Sequence, residues 1–400
     1  MTVAAASADN AVASERRVLA VAGGAHVLHD GYTDLLIVLL PLWQAEFALG
    51  YAAVGLMRAL YVGALALFQV PVASLTQRFG SRAVLAAGTV LAGASFVAAG
   101  FSQSLAALIG VLVLGGIGAS VQHPIASNMV ATAYEGRRSR GALAVYNFAG
   151  DLGKMGAPAL AALMLTLWPW RPVAATLGLV GIVAAGAAFL LAPTAQRGAA
   201  PPSGETRQGS GRGFPLLLSI GVLDSATRMA FVTFLPFLLL QKGAAMPTIG
   251  LALTALALGG AAGKLVCGWL GGRLGVIGAV FLTEGLTAVA IATLVVVPLV
   301  PALALLPVIG IALNGTSSVL YGTVPELVPP ERRARAFGLF YSGTIGGGAL
   351  APVLFGAAGD MLGVTLATAA TAGLILITLP LAWALRPAFS GAAAREAPRG

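Results

Sequence analysis

The sequence predicts an all-α integral membrane protein with about twelve spanning helices in two pseudo-symmetric six-helix bundles. Three observations predict it. Only 9% of the 400 residues are charged and 58% are hydrophobic, whereas a soluble domain carries roughly 25% charged residues. Apolar stretches long enough to cross a bilayer recur along the whole chain, and the mean hydropathy is +0.91. A shift of 195 residues also lays the second half of the sequence onto the first.

The spans are expected near 18–43, 53–76, 83–101, 105–133, 141–167, 172–193, 214–240, 247–270, 275–298, 301–325, 335–359 and 363–386. Each is near the ~20 residues that a helix needs to cross the hydrocarbon core. The 53 glycines fit this setting, because small residues let membrane helices approach closely. Residues 1–17 are polar and Ala/Ser-rich and read as a cytoplasmic tail without the apolar core of a cleavable signal. The stretch 194–213 is rich in Pro, Gly, Ser and Arg and reads as a flexible cytoplasmic linker. The halves are then 18–193 and 214–386, with a C-terminal tail over 387–400.

Lys and Arg placement sets the orientation. With the N-terminus inside, the cytoplasmic segments hold 17 of the 23 basic residues and the external loops hold only Arg171 and Lys242. Both termini are therefore expected in the cytoplasm. The same distribution argues against nucleic acid as the partner of a chain with net charge +9, since no single basic face is built. The expected environment is the lipid bilayer of a bacterial-type inner membrane.

The internal repeat is carried by many landmarks at one offset. Pro41 maps to Pro236, Gly55 to Gly250, Arg78 and Gly80 to Arg273 and Gly275, and Tyr146 to Tyr341. Arg137, Arg138 and Arg140 map to Arg332, Arg333 and Arg335. Parallel six-helix halves of this kind are a plan of secondary transporters, with substrate held at mid-membrane between them.

Ionisable side chains inside spans are the candidate functional residues, because each is costly there and tends to face the bundle interior. His26, Asp30 and Asp34 are spaced i, i+4, i+8 on the first span, with His29 at the edge of the same arc. Such a titratable stripe suits proton coupling, and Asp30 is the first choice for the carrier. Asp224 and Arg228 are i, i+4 on the seventh span, and Asp151 and Lys154 are i, i+3 on the fifth. Each couple reads either as a static ion pair or as one that a substrate opens. Lys264 and Glu284 break the repeat, standing opposite Gln69 and Thr89; they either pair with each other or act on substrate. Arg58 reads as an interfacial anchor or an anion contact. Trp168 and Trp170 fit an outer aromatic belt.

Several chemistries find no footing. The single Cys267 excludes an internal disulfide and a cysteine metal cluster. His26, His29 and His123 are scattered in sequence, so no metal site is expected. No phosphate-binding Gly-Lys-Ser/Thr loop and no Ser-His-Asp arrangement is readable, so neither a cofactor nor an enzyme activity is expected.

The loop after the second span, with Ala73, Gln77, Arg78, Gly80 and Arg82, resembles the G-x-x-x-D-R-x-G-R-[RK] pattern of the major facilitator superfamily. Gly268, Gly272, Arg273 and Gly275 repeat it in the second half. Gln77 and Gly272 stand at the acidic position. The chain is also similar to the fosmidomycin-resistance family of efflux proteins. That likeness rests on His26, His29 and Asp30, then Pro41, Glu46 and Phe47, then Gly116, His123 and Pro124, and on Gly150, Gly153, Gly156 and Pro158. Asp151 and Lys154 replace neutral residues of that family's fifth helix.

The resemblance implies the major facilitator fold, with a cavity lined by the first, fourth, fifth, seventh, eighth and tenth spans. It implies gating roles for Arg78, Gly80, Arg82, Arg273 and Gly275. The expected activity is proton-coupled export of a small amphiphilic or anionic compound, working as a monomer. His26, Asp30, Asp34 and Asp224 are expected to handle protons. Arg228, Asp151, Lys154 and Lys264 are expected at the substrate, with hydrogen bonds from Tyr146, Asn147, Asn314 and Tyr321. The alternatives are a proton-coupled importer of an organic anion or nutrient, and a non-transporting membrane sensor or assembly protein.

Overall fold

A chain this apolar must satisfy its backbone internally, and without a closed barrel the helix is the element that does so segment by segment. The computed structural model describes residues 2–134, 137–191, 213–329 and 332–393, and among these it contains helices and no strand. In chain order they are α1 (Thr2–Phe47), α2 (Tyr51–Phe79), α3 (Ser81–Phe101), α4 (Leu105–Ala119), α5 (Ser127–Ala133), α6 (Arg137–Met164), α7 (Trp170–Leu191), α8 (Gly213–Gln241), α9 (Met246–Val296), α10 (Leu299–Leu327), α11 (Arg333–Leu362), α12 (Val364–Leu376) and α13 (Thr378–Ala393). A π-helical turn, Gln122–Ala126, joins α4 to α5. The expected linker lies outside the described residues apart from Gly213, as do the side chains of Arg137 and Arg140 and the end of the C-terminal tail.

Ten described segments are long and apolar enough to cross a membrane. Neither α1 nor α6 is among those ten, and these two helices carry Asp30, Asp34, Asp151 and Lys154. Helix α1 starts at Thr2, so the leading polar segment is helical. Its many alanines, the best helix formers, account for this.

Two compact units emerge. One takes described residues from 2–47, 60–191 and 246–254; the other takes them from 48–59, 213–245 and 255–393. In the first unit α1 packs along α6 and α3 packs along α7. Tyr32 fixes α1 to α7 by donating its hydroxyl to the Leu177 carbonyl at 2.9 Å, while its ring stacks on Phe96 at 4.7 Å. Glu46, past the expected first span, accepts from Arg171 at 2.6 Å and from the Trp170 indole at 2.5 Å. The Arg171 contact holds the Glu46 carboxyl below its ordinary value, against a smaller opposing effect of burial. A carboxyl depressed in this way contributes stability above its ordinary value and loses it as pH falls through the depressed one. Trp170, expected in the aromatic belt, is instead buried against Trp43, while Trp168 is exposed.

In the second unit α8 is the centre, packed against α10, α11, α12 and α13. Its core gathers Phe214, Leu217 and Ile220 with Val324, Phe340 and Leu385. Asp360 of α11 accepts from the backbone N–H groups of Tyr51 at 2.5 Å and Ala52 at 3.0 Å, capping the start of α2. Lys242 donates to the carbonyls of Val295 at 2.8 Å and Val297 at 2.6 Å, where a helix end favours a cation. Arg58 is buried and donates to the Met229 carbonyl at 3.2 Å and to the Thr233 hydroxyl.

The duplication is visible in the backbone of each unit. Gly80 (φ 79°) breaks the chain between α2 and α3, and Gly275 (φ 69°) breaks α9 at the position 195 residues later. Both angles lie where a side chain is strained and glycine is not. Ala48 (φ 50°) and Gly243 (φ 86°) form a second such couple after the first helix of each half.

The tightest backbone approach between α1 and α6 is at Gly153 of α6, where an added Cβ would stand 2.1 Å from the Val27 carbonyl oxygen of α1. Gly153→Ala must push the two helix backbones away from each other, and overpacking of that kind costs about 1–3 kcal/mol. Thermal unfolding in detergent is expected to register this loss for Gly153→Ala and none for Gly24→Ala, whose Cβ would meet nothing within 4 Å. Equal melting temperatures for the two variants would show that the α1–α6 crossing tolerates separation.

Candidate functional site

The close crossing at Gly153 places one face of α6 against the polar stripe of α1. Gly150 lies over that stripe: a Cβ there would stand 2.6 Å from His26 Nε2 and 2.7 Å from Asp30 Oδ2. Glycine is what leaves room for the two side chains. Lys154, one turn further along α6, then brings its Nζ to 3.1 Å from Asp30 Oδ2. Asp34 and Asp151 also stand close enough to act on the Lys154 charge. The local Asp151–Lys154 couple expected from spacing is thus a larger cluster, with Lys154 bridging between helices to Asp30.

His26 fixes the hydrogen arrangement. Its Nδ1 lies 2.8 Å from the Tyr146 carbonyl oxygen. A carbonyl only accepts, so Nδ1 carries a hydrogen in this geometry. Its Nε2 lies 3.3 Å from Asp30 Oδ2. The Tyr146 ring stacks on His26 at 4.2 Å, and the Tyr146 hydroxyl accepts from Gln122 Nε2 at 3.1 Å.

His123 closes the group edge-on to His26 at 5.4 Å. Scattered in sequence, His26, Asp30 and His123 come together here, with ligating atoms all within 4.8 Å. The Lys154 ammonium already occupies the Asp30 oxygen and would repel a metal cation, so the donor set fits a proton better than a metal. His29 belongs elsewhere: its Nε2 lies 3.0 Å from Thr89 Oγ1. Since that hydroxyl already donates to the Leu85 carbonyl at 2.8 Å, the ring is the donor and His29 ties α1 to α3.

The second unit holds a separate polar group. Asp224 and Arg228 share a face of α8, with Arg228 Nη2 at 3.9 Å from Asp224 Oδ2. Ser317 of α10 mediates, accepting from Arg228 Nη1 at 3.0 Å and donating to Asp224 Oδ2 at 2.9 Å. Glu284 of α9 is fully buried beside Asp224, rather than serving only as a partner for Lys264. Tyr321 lies near Arg228, with its ring against Phe340 and Tyr341, both at 4.9 Å. Asn314 donates to its own helix at the Gly310 carbonyl, 3.2 Å away. Lys264 and Asn147 are exposed. Among the residues expected to gate, Gly80 and Gly275 form the paired breaks. Arg82 lies over the Phe189 ring at 4.3 Å, Arg273 over Trp269 at 4.3 Å, and Arg78 over Phe79 at 5.3 Å.

Sequence reasoning missed the Lys154–Asp30 contact, Gln122, Ser317 and the Asp224–Glu284 neighbourhood. A signal for the last was present. His29 and Thr89 lie 195 residues before Asp224 and Glu284, so one contact position is used in both halves. Gln122 and Ser317 stand at the same offset.

The Lys154–Asp30 contact is testable as a double-mutant cycle. Asp30→Asn and Lys154→Gln are each expected to lower the melting temperature, and the double variant to lose less than their sum. The expected coupling is about 0.5–3 kcal/mol, toward the low end because the Lys154 side chain is 40% exposed. Strict additivity would remove the contact from the account.

With this geometry in place, comparison with known proteins gives a consistent answer. The family model described as Major Facilitator Superfamily matches residues 24–221 and 216–399. The fosmidomycin resistance protein of Escherichia coli (strain K12) is 28% identical over 160 residues, which is 39% of this chain and 39% of that protein. The match thus spans about two fifths of that relative's length. Crystal structures of a bacterial homologue of the human lysosomal transporter Spinster, inward-facing and either occupied or unoccupied, superpose with a TM-score of 0.79. At 16% identity over 94% of this chain and 98% of theirs, they speak to the fold alone. The family match covers nearly the whole sequence, in two copies that follow the internal repeat, and the chain belongs to the Major Facilitator Superfamily.

Proposed function

We propose that this membrane transporter is proton-coupled and exports a small amphiphilic or anionic compound by alternating access of a mid-membrane site. The observation that carries the reading is the contact of Asp30 Oδ2 with His26 Nε2 at 3.3 Å and with the Lys154 ammonium at 3.1 Å. Asp30 is buried, and among the described residues His26 and Lys154 are the partners that balance its charge. A substrate whose donor groups take Asp30 competes with a proton there. That competition is what exchange of an outgoing compound for an incoming proton requires. The partial likeness to a protein named for resistance favours export.

A second reading follows from the same salt bridge. An organic anion that takes Lys154 strips Asp30 of its counter-charge and favours a proton on it. Anion and proton then bind together, which under an inward proton gradient drives import. The sign of coupling is set by which partner of the pair the substrate takes. Arg228, Lys264, Asp151 and Asp34 stand as further contacts for substrate or proton, with Tyr146, Asn147, Asn314 and Tyr321 as hydrogen-bonding candidates. The basic-residue bias supports a bacterial-type inner membrane with both termini in the cytoplasm. The monomer is the proposed working unit.

The test is proton movement in vesicles containing the purified protein, challenged with a compound panel that includes phosphonates. One compound is expected to trigger a pH change that Asp30→Asn loses. Imposed gradients of opposite sense then separate exchange from co-transport. Equal responses of wild type and Asp30→Asn to an active compound would make Asp30 structural and end this mechanism.

A further inference from the structure

The polar group of the second unit contains an imbalance that the Asp30 cluster does not. Glu284 is fully buried, and Asp224 is 2% exposed. Neither oxygen of Glu284, nor Oδ1 of Asp224, receives a hydrogen from any described residue. Yet the two carboxyl groups lie within hydrogen-bonding reach of each other. Buried acceptors face acceptors with no hydrogen from a described residue between them.

We propose that Asp224 and Glu284 form a carboxyl pair sharing one proton, and that this proton is a coupling proton separate from the one at Asp30. The inference rests on the proton-coupled reading above for its transport role and on this geometry alone for the shared proton. As a carboxylic acid, Glu284 donates to Asp224 Oδ1 and satisfies both orphaned sides with one hydrogen. Asp224 keeps Oδ2 for Ser317 at 2.9 Å. The pair then carries one negative charge, matched by the single guanidinium of Arg228.

The groups facing the pair from each packed element are few. Helix α8 supplies Arg228 besides Asp224 itself. Helix α10 supplies Ser317, Thr316 and, beside Arg228, Tyr321. The first half of α9 supplies Cys267, close enough to feel Glu284. Thr316 does not serve as the missing donor, since its hydroxyl lies 2.7 Å from Thr283 Oγ1 and Glu284 remains without a hydrogen.

Arg228 gives the pair a way to release its proton. At 3.9 Å from Asp224 Oδ2 it is well outside the 2.7–2.9 Å of a closed charge-assisted bond. Its Nε is buried and has no partner among the described residues. If the guanidinium closes on the pair it stabilises a second carboxylate, and the proton leaves to water. If it withdraws, the proton returns to Glu284. Ser317, bonded to both Arg228 and Asp224, shifts with the guanidinium in the step.

The repeat supports a functional origin. In the first unit the equivalent contact is His29–Thr89, a ring N–H donating to a hydroxyl, complete without an added proton. The second half has replaced both partners with acids. Two acids at one contact are self-defeating unless a proton comes with them.

The test is infrared spectroscopy of the full-length protein in lipid nanodiscs at neutral pH. Wild type is expected to show a carboxylic-acid carbonyl band that moves to lower frequency in heavy water. Glu284→Gln and Asp224→Asn are each expected to change or remove it, and Asp30→Asn to leave it. A band unchanged in both pair variants overturns the shared proton. For a compound that moves protons in wild type, Glu284→Gln is expected to move one fewer proton per substrate, and an unchanged ratio overturns the coupling role. If no compound moves protons in wild type, the transport reading fails and takes the coupling role with it, while the infrared band still decides the shared proton.

Discussion

The Asp30 cluster of the first unit depends on how closely α1 and α6 cross. A buried charge in a membrane protein has no solvent to fall back on, so it must find a partner within the length of a side chain. At Gly153 the helices touch backbone to backbone, and at Gly150 the missing side chain is the space that His26 and Asp30 fill. Lys154 reaches Asp30 only because of that approach. A bulkier α6 would keep the same charges and lose the Lys154–Asp30 contact, leaving the carboxylate with His26 of its own helix. The glycine run and the charges are therefore one feature. The glycines set the distance, and the distance makes the charges tolerable.

The two units solve the same problem with different chemistry. Each inherits a break after its second helix, at Gly80 and Gly275, and each uses one equivalent position to tie its first helix to its third. In the first unit that tie is His29 to Thr89, a neutral hydrogen bond. The charged work has moved along α1 to His26 and Asp30. In the second unit the tie itself is charged, with Asp224 and Glu284 facing one another and Arg228 a turn away. Duplication preserved the scaffold, and divergence redistributed the ionisable groups along it.

Much of this is legible in the sequence, for physical reasons that also explain what is not. Span length, hydropathy and the glycine breaks are local properties, so the helices and the repeat can be read directly. The i, i+4 relation of His26 to Asp30 and of Asp224 to Arg228 is equally local, and both couples exist. The Asp151–Lys154 spacing suggests a pair on one helix, and Lys154 also reaches across the interface, where Asp30 offers a buried carboxylate at 3.1 Å. That reach depends on helix rotation and separation, which spacing does not encode. Glu284 reads as a partner for Lys264 on charge alone. Only the offset to His29 and Thr89 directs it to Asp224. Trp170 misleads because an aromatic near a helix end reads as a belt residue, while its indole is spent on Glu46.

The two clusters differ in how tightly their charges are closed. At Asp30 the carboxylate has a cation within 3.1 Å and an imidazole within 3.3 Å, so an incoming group must displace a partner already in place. At Asp224 the cation stands back at 3.9 Å, with Ser317 holding the gap open. A closed pair resists change until a competitor arrives, whereas an open one can tighten or loosen with small helix movements. Differential contacts in two states are what lets a ligand shift an equilibrium at all. The chain thus holds one closed pair and one open pair, on different units.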